Sequence, residues 1–167
     1  MAVPVFYGVP VKDRKYRRSR ICSEALVCPV AISFIDDIDV RTGEFKEIEH
    51  FLFGETIRNK ILIFPGSIGG RLNSIFIKML ASNGAAPSAF IMPTADRDVI
   101  TGALISGIPY LYSVTPDPVS IINSGDEIYV NPYRGEVKMI THRDITGETD
   151  NEIIDSQIDA AIEGMEE

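Results

Sequence analysis

The chain has 167 residues, 45% hydrophobic and 24% charged, with two cysteines, two histidines and a formal net charge of −8. That length fits one domain, or one domain with arms, and supports a substantial core of the kind soluble globular proteins bury. No stretch approaches the roughly 20 uninterrupted apolar residues of a membrane-spanning helix, and Met1–Pro10 is too short for a signal peptide, so a cytoplasmic protein is expected.

Lys12 to Arg20 holds six basic residues and one acid, and 144–167 holds nine acids and no base. The basic block contains one aromatic, Tyr16, and no nucleic-acid-binding motif. It reads as a solvated or partner-contacting arm over 1–20. Ile21–Val27 and Val30–Ile35 are then predicted strands, with Pro29 forcing a break or an edge position. An acidic turn follows, from Asp36 to Gly43. Within 57–64, the run Ile61-Leu62-Ile63-Phe64 predicts a strand buried on both faces, and it stops at Pro65-Gly66.

Leu72, Ile75, Phe76, Met79 and Leu80 fall at helical spacing, and Asn83-Gly84 ends that helix. Ala89–Met92 is a short strand. Thr94 or Asp96 caps a second helix, with Val99, Ile100, Ala103 and Leu104 inward and Gly107 as its stop. Ile108–Tyr112 returns as a strand, Asp117-Pro118 turns, and Ile128–Val130 with Glu136–Ile140 form a hairpin pair. Thr149 and Glu152 make a capping box for an acidic C-terminal helix within 144–167, lined by Ile154, Ile158, Ala161 and Ile162. This helix docks on the body, on a partner or on a second copy of the chain. The order of elements gives an α/β domain with a non-uniform sheet, over 21–143.

The most informative local feature is Pro65-Gly66-Ser67-Ile68-Gly69-Gly70-Arg71, a glycine-rich loop between a buried strand and a helix. Such a loop offers unpaired N–H groups and the positive end of a helix dipole to a phosphate or carboxylate. Ser67, Arg71, Asn73 and Ser74 surround it, and a guanidinium adds bidentate anion recognition. It lacks the lysine of a phosphate-binding P-loop and the spacing of a dinucleotide fingerprint. The plainer alternative is a tight turn whose glycines serve backbone fit alone. Asp36 to Asp39 could hold a cation or an acid/base pair, but three aspartates in a turn more often solvate and shape it. Cys22 and Cys28 supply too few ligands for a zinc site, and His50 and His142 are far apart, so no metal site is expected on this chain.

In order and spacing, four blocks resemble the small subunit of aconitase X proteins, phosphomevalonate dehydratase small subunits among them. They are Glu24–Val27 with Ser33-Phe34, Asp39 and Thr42-Gly43; Ile61–Pro65 with the glycine-rich loop and Ser74; Asn83–Pro87 with Asp96; and Thr101–Pro109 with Gly125-Asp126 and Gly135–Val137. The resemblance covers roughly 21–140. It implies a swivelling β/β/α domain that pairs with a large subunit carrying an iron–sulfur cluster, this chain binding no cofactor itself. Family members dehydrate small hydroxy acids, mevalonate 5-phosphate in an archaeal type and cis-3-hydroxy-L-proline in bacterial types.

The chain departs from the family pattern at the loop. Family loops carry a serine, the catalytic base, where an ungapped alignment places Gly70 here; Arg71 stands beside it and Asn73-Ser74 at the closing Gly-Ser. The implied site is therefore Ser67 or Ser74 near proton transfer, with Gly69, Gly70, Arg71 and Asn73 holding the substrate anion. The two residues before Asp39's Ile38, usually glycines in the family, are Asp36 and Asp37. The competing reading is a non-catalytic anion-binding or regulatory module that has lost the serine. No nucleic acid or membrane partner is expected.

Overall fold

The structure is a computed structural model and describes residues 4–140. The expected C-terminal helix and His142 lie outside the described residues.

The run Ile61–Phe64 lies at the centre of the fold, and all four side chains are fully buried. Strand β3 (Ile61–Ile63) is flanked by parallel neighbours, β2 (Ile21–Val27) on one side and β4 (Ala89–Ile91) on the other, followed by β5 (Tyr110–Leu111). Alternation sends Leu62 into one apolar layer and Ile61 and Ile63 into the other. On its far side β2 pairs antiparallel with β6 (Glu127–Asn131), which forms the expected hairpin with β7 (Glu136–Ile140). With β1 (Val5–Tyr7) at one margin, the sheet order is β1-β7-β6-β2-β3-β4-β5, half antiparallel and half parallel. This is the mixed α/β sheet expected from the order of elements.

Strand β1 (Val5–Tyr7) belongs to the segment read as an arm, yet it pairs antiparallel with β7 and buries Phe6 completely. Tyr7 also exchanges two backbone hydrogen bonds of 2.9 Å with Thr115, just beyond β5. One short strand thus contacts both ends of the sheet. Within the basic block, Tyr16 is buried and its hydroxyl reaches the carbonyl of Ile108 at 3.4 Å. These contacts are long-range, and three-residue strands carry no periodicity to announce them.

Helices α1 (Leu72–Ser82) and α2 (Arg97–Ser106) connect β3, β4 and β5 and pack on each other. Asp96 caps α2 by accepting the N–H of Val99 at 3.0 Å, and Gly107 ends it in the left-handed conformation. The inward face of α1 differs from the expected stripe. Asn73, Ile77 and Leu80 are buried, while Leu72, Ile75 and Met79 are exposed. The cause lies at two points. Gly102 lets α2 approach so closely that a Cβ there would stand 2.9 Å from the Cβ of Ile77, and Asn73 is drawn inward by the loop that precedes the helix. A short helix, α3 (Pro118–Ile121), follows β5 and is capped by Asp117.

Val30–Ile35 is not a strand. Only Ile32 bridges, to Ser67, and the chain then turns so that Asp37 N–H donates to the Ser33 carbonyl at 2.8 Å. Phe34 is fully buried and packs edge-on against Phe64 and Phe90, each with ring centroids 6.0 Å apart. A turn anchored by one aromatic mimics the apolar density of a strand in sequence.

Gly102→Ala adds a methyl against the branch point of Ile77, which has no flexible end to yield. The expected outcome is a lower melting temperature, with a loss of about 1–3 kcal/mol from overpacking outweighing the helix-propensity gain of about 1 kcal/mol. Thermal unfolding followed by circular dichroism checks it; an unchanged or raised midpoint contradicts the close helix contact.

Candidate functional site

The glycine-rich loop is held from three directions. Against the 30s turn, Ile32 N–H donates to the Gly66 carbonyl and Ile68 N–H to the Ile32 carbonyl, both at 3.0 Å. Against α2, Ser67 N–H donates to Asp96 Oδ2 at 2.6 Å and the Ser67 hydroxyl lies 3.0–3.1 Å from both oxygens of that carboxylate. A Cβ on Gly66 would meet Asp96 Oδ2 at 2.9 Å, so this contact requires glycine.

From below, Asn73 holds the loop with every polar atom of its side chain. Its Nδ2 donates to the carbonyls of Ile68 at 2.8 Å and Gly70 at 2.9 Å, and its Oδ1 accepts the N–H of Phe34 at 2.8 Å. It is completely buried. Asn73, assigned to substrate in the sequence reading, thus holds loop, turn and helix together; both of its donors are taken inside the protein.

What remains free is the backbone above it. The N–H groups of Gly69, Gly70 and Arg71 have no acceptor among the described residues, and all three residues are exposed. They lead directly into the N-terminus of α1, where no side chain caps the helix. Consecutive free amides at a helix start form a concave anion-binding surface. The Arg71 side chain is exposed and makes no hydrogen bond or ion pair among the described residues. Ser74 borders this surface with its hydroxyl donated to the Arg71 carbonyl at 2.8 Å. Gly70 has φ of +85° and nothing within 4 Å of an added Cβ. A serine there has room, but the left-handed backbone opposes it by about 1–2 kcal/mol.

In the acidic turn the three aspartates do different things. Asp39 accepts the N–H of Arg41 at 2.9 Å, which holds its carboxyl below the usual range. Asp37 accepts the N–H of Ser33 at 2.8 Å. Asp36 meets only the Ser33 hydroxyl, at 3.2 Å, and is exposed. Ser33 itself is buried, its Oγ 3.6 Å from an ideal Cβ on Gly69. Folding brings the turn to the loop, a proximity that sequence spacing does not reveal.

Sequence reasoning also missed Cys28 and His50, whose Sγ and Nε2 lie 3.9 Å apart. Burial pushes the Cys28 thiol up from its ordinary value, and its Sγ is 3.2 Å from the Val30 carbonyl. His50 accepts the N–H of Leu52 through Nδ1 and stacks between Phe45 and Phe51. A neutral, buried thiol is a packing group, since the thiolate is the nucleophile. A hollow of about 280 Å³ lined by Glu24, Phe51, Glu55, Lys60 and Ser124 contains no loop residue, and its lysine lies 3.7 Å from Glu55 and 4.0 Å from Glu24. Among the described residues no three His, Cys, Asp or Glu side chains converge as metal ligands.

Two measurements test this geometry. Asn73→Ala leaves the Phe34 N–H and two loop carbonyls without partners, so stability should fall by about 3 kcal/mol, readable by urea unfolding; a loss under about 1 kcal/mol contradicts the bracing role. Native thiol labelling should modify Cys22, which is exposed, before Cys28. Because its thiol is raised, Cys28 forms thiolate only above the ordinary cysteine range, and its labelling should accelerate only there or on unfolding. Equal rates near neutral pH would contradict its burial.

The family model described as the aconitase X swivel domain matches residues 10–139. A phosphomevalonate dehydratase small subunit of Methanocella arvoryzae is 36% identical over 129 residues, 77% of this chain and 98% of that protein. One from Thermococcus sibiricus is 35% identical, covering 77% and 97%. The crystal structure of Thermococcus kodakaraensis aconitase X in its holo-form matches with a TM-score of 0.73 at 31% identity, covering 83% of this chain and 99% of that one. With a mixed sheet of this order and a glycine-rich loop braced by Asn73 and Asp96, the chain belongs to the aconitase X swivel-domain family.

Proposed function

We propose that this chain is the small subunit of a heteromeric aconitase X-type dehydratase acting on a small anionic hydroxy acid of the phosphomevalonate class. The observation that carries the reading is a set of three consecutive amides, Gly69 to Arg71, and the Arg71 guanidinium at the start of α1, none of which has a partner among the described residues. That surface suits a phosphate or carboxylate, and the relatives' names supply the substrate class. Ser67 and Ser74 border the cradle with hydroxyls already directed to Asp96 and to the Arg71 carbonyl.

The partner is a large subunit, as the names of the relatives imply. An apolar face beside the loop supports this. Ile68, Leu72, Ile75 and Met79 are 55%, 53%, 52% and 41% exposed, an amount of contiguous apolar side chain that marks an interaction surface. Seating that face on a partner encloses the loop and excludes water from the bound anion, which strengthens each polar contact. The cysteines do not fit a cluster, one exposed on β2 and one buried beside His50. The iron–sulfur cluster that the family implies therefore belongs to the large subunit, where it supplies a Lewis acid. Among the described residues no helix is long and apolar enough to cross a membrane; a cytoplasmic location is part of the proposal.

Gly70, in the place of the family's serine, favours a second reading, a regulatory module that binds an anion without turnover. The two readings separate in one assay. The co-expressed heteromer of this chain and its large subunit should dehydrate mevalonate 5-phosphate, with cis-3-hydroxy-L-proline as comparator; binding without product supports the regulatory reading. Arg71→Ala should raise KM about 10- to 100-fold, the scale of one lost charge-assisted contact of about 1.5–3 kcal/mol. Unchanged kinetics would remove Arg71 from the site.

A further inference from the structure

Dehydration of a hydroxy acid removes a proton from carbon, and the loop position aligned with the family's serine is Gly70, which has no acceptor to offer. Two serine–carboxylate pairs nevertheless flank the loop, and they differ in what each carboxylate already does. Asp96 receives the N–H of Ser67, the hydroxyl of Ser67 and the N–H of Val99. It caps α2 and ties the loop, so both of its oxygens are already engaged. Asp36 receives a single donor, the Ser33 hydroxyl at 3.2 Å, and its carboxylate is otherwise open to solvent.

The placement of that second pair is what matters. Ser33 is 4% exposed, fixed by its N–H to Asp37 at 2.8 Å and by Phe34 in the core. Its Oγ lies 3.6 Å from the ideal Cβ position of Gly69, the first of the three residues with a free amide. The Asp36 N–H returns a hydrogen bond to the same Oγ at 3.2 Å, closing a two-point contact that sets the direction of the side chain. Through its 3.2 Å contact with Ser33, Asp36 borders the Gly69 end of the surface on which a substrate carboxylate would be seated. Arg71, free of acidic partners among the described residues, offsets the repulsion between substrate anion and carboxylate.

We infer that Asp36 is the base that removes the substrate proton in this subunit, with Ser33 as its positioning residue. This rests on the dehydratase reading above. The Asp36 carboxylate takes the proton from the carbon next to the substrate carboxylate. The C–H electron pair becomes the new C=C bond, and the C–O bond on the neighbouring carbon breaks with its pair leaving on oxygen. That oxygen departs as water after accepting a proton from an acid of the partner subunit. Asp36 releases its own proton to solvent from its exposed side.

The test uses the intact heteromer with mevalonate 5-phosphate. Asp36→Asn keeps the acceptor for Ser33 but cannot take up a proton near neutral pH, so kcat should fall about 100-fold or more. KM, calorimetric affinity and heteromer assembly should stay within about threefold, because the amides and Arg71 still hold the anion. Asp36→Glu, which retains a carboxylate one methylene further out, should recover part of the lost turnover, whereas a merely structural role gives no such recovery. Wild-type turnover with an Asp36→Asn variant of equal kcat overturns the assignment and leaves the dehydratase reading standing. A wild-type heteromer that neither binds nor dehydrates the compound overturns both.

Discussion

One buried carboxamide holds the site together. Asn73 stands on the first turn of α1, and its side chain reaches a carbonyl on each side of Gly69 and the N–H that begins the 33–37 turn. Among the described residues no other side chain links loop, turn and helix at once. Asn73 draws the carbonyls of Ile68 and Gly70 down, so the N–H groups of Gly69 and Arg71, which share those trans peptides, turn away from it, and with the Gly70 N–H they have no acceptor among the described residues. The anion-binding character of the surface follows from that polarity. A buried polar network with all its members satisfied rigidifies what it joins, and a preorganised set of donors needs no rearrangement when charge arrives.

The sheet supplies the platform. Its parallel half is apolar on both faces, so the strand leading into the loop is packed from two sides, by Phe34, Phe90 and the helices on one and by Ala25, Ile91 and Leu111 on the other. Its antiparallel half shields the second layer with β6 and β7. The loop leaves a fully buried strand at Pro65 and enters a helix seven residues later, at Leu72, so its two ends are tied to buried elements and only the segment between them is open to a ligand. The acidic turn approaches from the same edge because the Ile32–Ser67 bridge extends the parallel pairing past the end of β3.

The parts of this that sequence conveys are those written in local chemistry. The strand Ile61–Phe64, the spacing that yields α1 and α2, the Asp96 cap, the Gly107 stop and the β6–β7 hairpin each follow from a few neighbouring residues. The glycine-rich loop was visible for the same reason. Features set by long-range contact were not. Val30–Ile35 has the apolar density of a strand, but only Ile32 and Phe34 turn into the core, and the backbone between and after them makes a turn. Spacing alone turns the apolar stripe of α1 inward, yet Gly102 and Asn73 rotate the helix so that Ile77 is buried and Ile75 exposed. Asn73 looked like a ligand because amides often are, and its three internal partners lie at positions no spacing rule connects. Ser33 meets Gly69 across more than thirty residues of chain, so their relation exists only in the folded protein.

The short first strand has a consequence for how this protein meets others. By pairing with β7 and exchanging two hydrogen bonds with Thr115, Tyr7 and its neighbours draw the opposite margins of the sheet toward one another, and Val9 adds a third bond, to the Tyr112 carbonyl, at 3.0 Å. A sheet with free margins invites strand addition by another polypeptide. Among the described residues the two margins meet along Tyr7 and Val9, which leaves the exposed apolar side chains of the helical flank, Ile68, Leu72, Ile75 and Met79, as a surface of another kind. Contact through side chains can form and break without opening a hydrogen-bonded ladder.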